Sequence, residues 1–454
     1  MSTAGFAVVA GLPAGCNFLM TLLLVRTLTV AQFATWSVIE PTFLIFSTLT
    51  ALGLQFGLLF VTASHAATPR AALGTAMVIA APVAILAGSL VWLVMRGQLP
   101  GVGYPALVFV LAVETMSLLT IASMRGQRLI SRWIAFEAVR SAGPVALVGG
   151  ALLFTTTRID TIEGLLLVRG GFTLVAVVAI AASQRAYPML DRALLMRMLR
   201  YGFPMVLAAG VTATISGADR FLLALLERPA VEIAQYAAHQ RLAGLLSVAV
   251  VAPLNLWFAV EAIRRDTVAQ ASFFHAVLIA VAGGLALMVA MAFVIGPLVW
   301  PYLFPKLAFS PVIYALLAGA VIPQAIAIVT NIGTLREKNT HVSIITAGTS
   351  GSVMLVVGWS LIGLFGGSGA AGARFAALLS TAVVGRAMSQ RIAPVSHRLR
   401  PLAPFALAVV LASIGMFASR FGMSHWPWAV GSLAAWGWGA VRNYSRLRSI
   451  FARG

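Results

Sequence analysis

Charge is scarce in this chain: Asp, Glu, Lys and Arg make up only 9% of its 454 residues, while 60% are hydrophobic. A soluble protein of that length needs far more charge to cover its surface, so the soluble globular class is excluded. Cysteine is nearly absent. The single Cys16 rules out a disulfide framework and a cysteine metal cluster, and it reads as a small buried hydrophobe. Long polar stretches are missing too, which leaves no room for a soluble catalytic domain on either side of a membrane. Nothing basic precedes Arg26, so the charged leader of a cleavable signal peptide is lacking and the first apolar segment is expected to stay. No nucleotide-binding glycine loop, catalytic motif or metal-ligand spacing occurs. The expectation is a protein that is not an enzyme, uses no cofactor and does not bind ATP to drive its work.

What is present is apolar sequence, with a mean hydropathy of +0.97. Runs of 18 or more apolar residues recur, each long enough to cross ~30 Å of hydrocarbon as a helix. Punctuation by charge, glycine and proline predicts about fourteen spans: 5–25, 37–63, 72–95, 104–123, 139–154, 161–183, 201–217, 232–260, 272–299, 308–333, 341–365, 369–388, 402–418 and 425–441. The fold class is an all-α polytopic membrane protein. With the N-terminus cytoplasmic, 21 Lys and Arg fall in inside loops and tail and 7 outside. That is the bias of the positive-inside rule, and it places both termini in the cytoplasm. The net charge of +19 belongs to those loops. No basic cluster sits on a soluble domain, which excludes nucleic acid as a partner.

Three landmarks repeat. Ala31-Gln32-Phe33-Ala34 returns as Ala234-Gln235-Tyr236-Ala237, an offset of 203. Gly164 and Arg169 return as Gly369 and Arg374, an offset of 205. The loop at 123–128 returns at 334–339, an offset of 211. Two halves of six spans each, in one orientation, make a parallel repeat, an architecture of transporters with a central cavity. The expected lobes are residues 1–190 and 191–391, with Arg185–Arg200 as their cytoplasmic linker. Residues 392–454 add two further spans and a basic cytoplasmic tail.

Particular residues carry a family resemblance over about residues 1–390. The stretch Tyr201-Gly202-Phe203-Pro204, the pair Asp219-Arg220 and the run Ala234 to Leu242 resemble helices seven and eight of polysaccharide-exporting flippases. Val25 to Trp36 resembles the first helix–loop–helix of that family, and Gly366 to Ser380 its Gly-Ala-Ala start of helix twelve. The usual Leu-Gly after the first-helix arginine is Leu28-Thr29 here, a departure at the loop. The resemblance is to the polysaccharide/O-antigen flippase family of the multidrug/oligosaccharidyl-lipid/polysaccharide exporter superfamily. It implies alternating access in the bacterial inner membrane, moving a polyprenyl-pyrophosphate-linked oligosaccharide to the periplasmic leaflet for surface polysaccharide assembly. Helices one, two, seven and eight would be the moving walls. Implied partners are the lipid-linked substrate, membrane lipid, and a polysaccharide polymerase with other assembly proteins.

Charges inside spans are the candidate site, because a charge at the bilayer centre costs ~2.5–3.5 kcal/mol and usually faces protein or a wet cavity. An anionic pyrophosphate needs cations, and the planar fork of arginine suits it. Arg26 on span one and Arg241 on span eight are candidate substrate contacts; Arg26 alternatively snorkels to the outer interface. Arg169 and Arg374, equivalent by the repeat, either face the cavity or bond to a neighbouring helix. Glu114, deep in span four, must be protonated, paired or wet. It is a candidate for ion coupling, as is Glu40, four residues into span two and plainly exposed there unless coupled. Asp219 and Arg220 read as a local ion pair or a loop brace. Trp92, Trp300, Trp426 and Trp428 read as interface anchors. The competing functions are an ion-coupled multidrug-type antiporter, a peptidoglycan lipid-precursor flippase, and a polysaccharide polymerase or ligase. The first is disfavoured by arginine-rich intramembrane charge, the second by the absence of a Ser-Arg-rich first helix, and the third by the absence of a large loop.

Overall fold

A computed structural model of the chain describes residues 3–64, 66–97, 99, 101–154, 161–264, 271–330, 340–392, 400–418, 423–424 and 426–444. Its regular structure is all helical among the described residues, and the described part of each of the fourteen expected stretches falls mainly on helix. Among the described residues, eight helices are long and apolar enough to cross a membrane, nine if a bent pair counts as one. The chain is a multi-pass membrane protein. It divides into two compact units, Met1–Ala234 and Gln235–Gly454.

The first unit opens with α1 (Thr3–Thr27) and α2 (Val30–Thr50). Thr29 starts α2 seven residues before the expected span, through a capping box: Gln32 N donates to Thr29 Oγ1 (3.2 Å), and Thr29 N donates to Gln32 Oε1 (2.9 Å). The chain then turns by 60° into α3 (Leu54–Ala63). The turn passes through Gly53 at φ +76°, where a side chain would also collide with the backbone of Gly202. Next come α4 (Pro69–Met95), α5 (Tyr104–Gly126), α6 (Ile130–Glu137) and α7 (Gly143–Phe154). A π turn, Ala138–Ala142, joins the last two. The span expected at 139–154 is therefore longer, running from Ile130 to Phe154. Arg140 lies inside it, not in a loop.

The unit continues with α8 (Ile162–Ser183) and α9 (Arg192–Leu225). Half of the expected loop-like linker is thus the first turns of α9, capped by Asp191, whose Oδ1 accepts from Leu194 N at 3.0 Å. Leu194 and Met198 bury their side chains against Leu54, Leu58 and Leu73, so apolar packing holds this stretch in helix. Tyr187, just before it, lies under the Arg70 guanidinium at 3.7 Å.

Past the unit boundary, which falls within α10 (Ala230–Arg264), come α11 (Ala271–Leu303), α12 (Pro311–Gly319), α13 (Val321–Thr330) and α14 (Thr340–Ile392). The 53-residue α14 is two helices joined at Gly366, whose φ 55° and ψ −128° are not helical. This break matches the boundary expected between the eleventh and twelfth spans. The last helices, α15 (Ala403–Ala418) and α16 (Trp426–Arg442), dock on α11. Phe405 packs with Ile279 and Ala286, Ser432 Oγ donates to Ala408 O (2.7 Å), and Trp436 Nε1 donates to Gly283 O (2.9 Å). Apolar surface alone gives helices little reason to associate in lipid. Small residues and interhelical hydrogen bonds supply the specificity.

Candidate functional site

Four charges meet inside the first unit. Glu114, buried on α5, accepts from Arg169 Nε of α8 at 2.9 Å. Arg140 Nη2, on the π turn, lies 3.8 Å from the other oxygen of Glu114. Arg140 Nη1 donates to Glu137 at 3.3 Å, and Ser141 Oγ donates to Glu137 at 3.3 Å. Glu137 is also buried. Ser117 Oγ adds a long contact to Glu114 at 3.5 Å. Two arginines and two carboxylates make the cluster neutral, which allows such a group to sit at membrane depth.

The pairing answers what a lone Glu114 in span four requires: it is paired. Arg169 bonds to a carboxylate rather than to carbonyls. It uses only Nε to do so, and among the described residues its terminal Nη1 and Nη2 edge makes no hydrogen bond. About a fifth of the side chains of Arg169 (21%) and Arg140 (22%) stays exposed. That open edge is the geometry a phosphate or carboxylate oxygen pair fits. Glu137 and Arg140 were missed as site residues, although their i, i+3 spacing on a helix signals a pair. Reading 139 as a span start hid them. The π turn itself, a feature that recurs at functional sites, leaves no mark in the sequence that separates it from ordinary helix.

A second polar group joins α2 to α9. Arg220 Nη1 donates to Ser37 O at 3.1 Å and stands 3.8 Å from Glu40 Oε2. Its own backbone N donates to Asp219 Oδ1 at 2.8 Å. Asp219 and Arg220 are buried inside α9 and form the expected local ion pair, Arg220 Nε to Asp219 Oδ1 at 4.0 Å, while Arg220 braces two helices, not a loop. Glu40 is correspondingly not a surface residue: its side chain is 15% exposed, because α2 begins at Val30 and carries it ten residues deep. Gly217 makes the approach possible, since a side chain there would strike Pro41. With Arg140 and Arg220 moved into spans, the charge bias on the expected topology becomes 20 inside against 6 outside.

Arg26 ends α1 and is exposed, while Arg241 on α10 and Arg374 on α14 are half-buried. In the second unit the polar centre is His239, buried in α10. Ser310 N donates to its Nε2 (2.9 Å) and its Nδ1 meets Gln235 O at 2.7 Å. A backbone donor on one nitrogen and a carbonyl on the other fix the neutral Nδ1–H tautomer. Trp300 stacks on the ring at 3.9 Å between centroids. Trp300 is therefore a core residue, 2% exposed, and not an interface anchor. The echoed glutamines differ in role: Gln32 caps its own helix, whereas Gln235 Nε2 donates to Ala308 O at 2.8 Å. Among the described residues no group of three His, Cys, Asp or Glu side chains is placed to hold a metal ion.

No protein-family model and no curated protein sequence matches the chain. Solved structures do. A lipid II flippase, MurJ, in an inward closed conformation is similar with a TM-score of 0.70 at 9% identity, over 97% of this chain and 99% of that one. An inward-facing multidrug resistance MATE-family transporter of the MOP superfamily is similar with a TM-score of 0.60 at 14% identity, over 85% and 97%. The MATE transporter VcmN of Vibrio cholerae is similar with a TM-score of 0.57 at 13% identity, over 86% and 96%. The chain has the fold of the MOP-superfamily transporters.

Proposed function

We propose that the protein is a flippase moving polyprenyl-pyrophosphate-linked oligosaccharide units across the bacterial inner membrane by alternating access, for surface polysaccharide assembly. The observation that carries this reading is the fold likeness to a lipid II flippase along the whole chain, 97% of it, against 85–86% for the multidrug transporters. The difference is about as long as the C-terminal appendage at 392–454. On this reading the repeats 1–190 and 191–391 are the moving lobes, and both termini are cytoplasmic. Arg169 offers its open guanidinium edge to the substrate anion, with Arg26, Arg241 and Arg374 as further cationic contacts. Glu114 holds Arg169 when substrate is absent. An arriving pyrophosphate competes for the arginine, and the released carboxylate turns to Arg140 or takes a proton, which is how Glu114 would couple an ion to transport. Glu40 is the second coupling candidate, set against Arg220.

The test is deletion of the gene and identification of the lipid-linked glycan that accumulates. Accumulation of an oligosaccharide on a polyprenyl carrier supports the reading. Build-up of a peptidoglycan precursor instead supports the second reading, a lipid-precursor flippase, which the likeness to MurJ favours. A rise in drug sensitivity with no lipid intermediate points to the ion-coupled multidrug antiporter and ends the flippase proposal.

A further inference from the structure

One end of the first unit carries a recess of about 250 Å³. Arg125, Arg128 and Trp133 line it together with the apolar Leu59, Leu129 and Ile130. It lies on the face that the arginine bias assigns to the cytoplasm, about 16 Å along α5 from Glu114 at 1.5 Å per residue. Arg125 and Arg128 are both exposed, and among the described residues neither pairs with a carboxylate. The Arg125 guanidinium lies 5.6 Å from the Trp133 ring centre, a cation–aromatic pair typical of the headgroup level.

Arg128 also has a left-handed backbone, which it shares with Leu52, Arg185 and Glu227. Helix α5 ends in a Schellman motif: Arg128 N donates to Arg125 O (3.1 Å) and Leu129 N to Met124 O (3.0 Å). The residue between them must take the left-handed conformation, and Arg128 does, at φ +58°. Glycine is the residue that position favours, because a side chain is disfavoured there. Leu52, Arg185 and Glu227 take the same conformation at other helix ends, so the setting means only that glycine can replace Arg128 without straining the backbone.

We infer that this recess binds the phosphate of an anionic phospholipid of the cytoplasmic leaflet, held by Arg125 and Arg128, with the glycerol end against Trp133 and the apolar wall. Arginine forks suit a phosphodiester, and basic pockets between membrane helices on the cytoplasmic side are where anionic head groups bind. The site does not depend on which substrate the transporter moves.

The test uses the full chain purified in detergent and native mass spectrometry with added phosphatidylglycerol or phosphatidylcholine, alongside thermal unfolding. The expected result is selective retention of phosphatidylglycerol, reduced about fivefold by Arg128→Gly and about fivefold by Arg125→Gln. The unfolding midpoint of Arg128→Gly should stay at or above the parent, since glycine relieves the backbone. Unchanged retention in both variants overturns the inference. So does a fallen midpoint for Arg128→Gly, which would make Arg128 structural. Displacement of the lipid by millimolar inorganic phosphate would identify a free-phosphate site and overturn it as well.

Discussion

Arg169 Nε and Glu114 Oε1 stand 2.9 Å apart on two helices whose sequence positions differ by 55. The pair, with Arg140 behind it, is the charge centre of the first unit. Removing one member strands its partner at membrane depth. Glu114→Gln and Arg169→Gln should each destabilise the fold by about 3–5 kcal/mol. The double variant should cost clearly less than the sum, because both charges then leave together. Thermal unfolding of the four proteins in one detergent gives the cycle, and strict additivity would mean that the two side chains do not interact.

The capping box at the head of α2 makes a separate prediction. Thr29 and Gln32 satisfy two backbone donors between them. Thr29→Ala should cost about 0.5–2 kcal/mol, and Thr29→Ser almost nothing. The readout is the unfolding midpoint. An equal loss for Ser and Ala would place the effect of Thr29 in its methyl group, not in the cap.

These two features show what could be read in advance. Apolar runs and glycine breaks carry the membrane class and the all-helical fold, because a bilayer imposes length and polarity on every span. Helix starts were harder. Span two was read from where polarity ends at residue 37, whereas α2 begins where Thr29 caps it, and Glu40 changed from surface to interior as a result. The same error at 139 hid Glu137 and Arg140. That Arg220 reaches Ser37 across 183 residues of chain is a tertiary fact with no local signature, and so is the stack of Trp300 on His239.

Gly202 makes a further test of close packing. The backbones at Gly53 and Gly202 approach so nearly that a methyl on either would meet the other's carbonyl. Gly202→Ala must part α3 from α9, at about 1–3 kcal/mol. Gly244, beside which no atom lies within 4 Å of a built side chain, is the control, and Gly244→Ala should be neutral or slightly stabilising. Midpoints of the two variants, measured together, check the contrast.

The last prediction separates charge from geometry at the proposed anion contact. In Arg169, Nε is committed to Glu114 while the Nη edge remains open. A lysine can hold Glu114 as a point charge, yet it then has no planar second edge to offer. Arg169→Lys should therefore fold and reach the membrane near parental levels while supporting polymer export poorly. Arg169→Gln should lose both. Arg26→Gln, at an exposed helix end, is the comparison, and its export is read against its own membrane level. The assay is restoration of polysaccharide export in a deletion strain, normalised to membrane protein level. Full restoration by Arg169→Lys would show that positive charge suffices, and the fork-shaped contact would have to be given up.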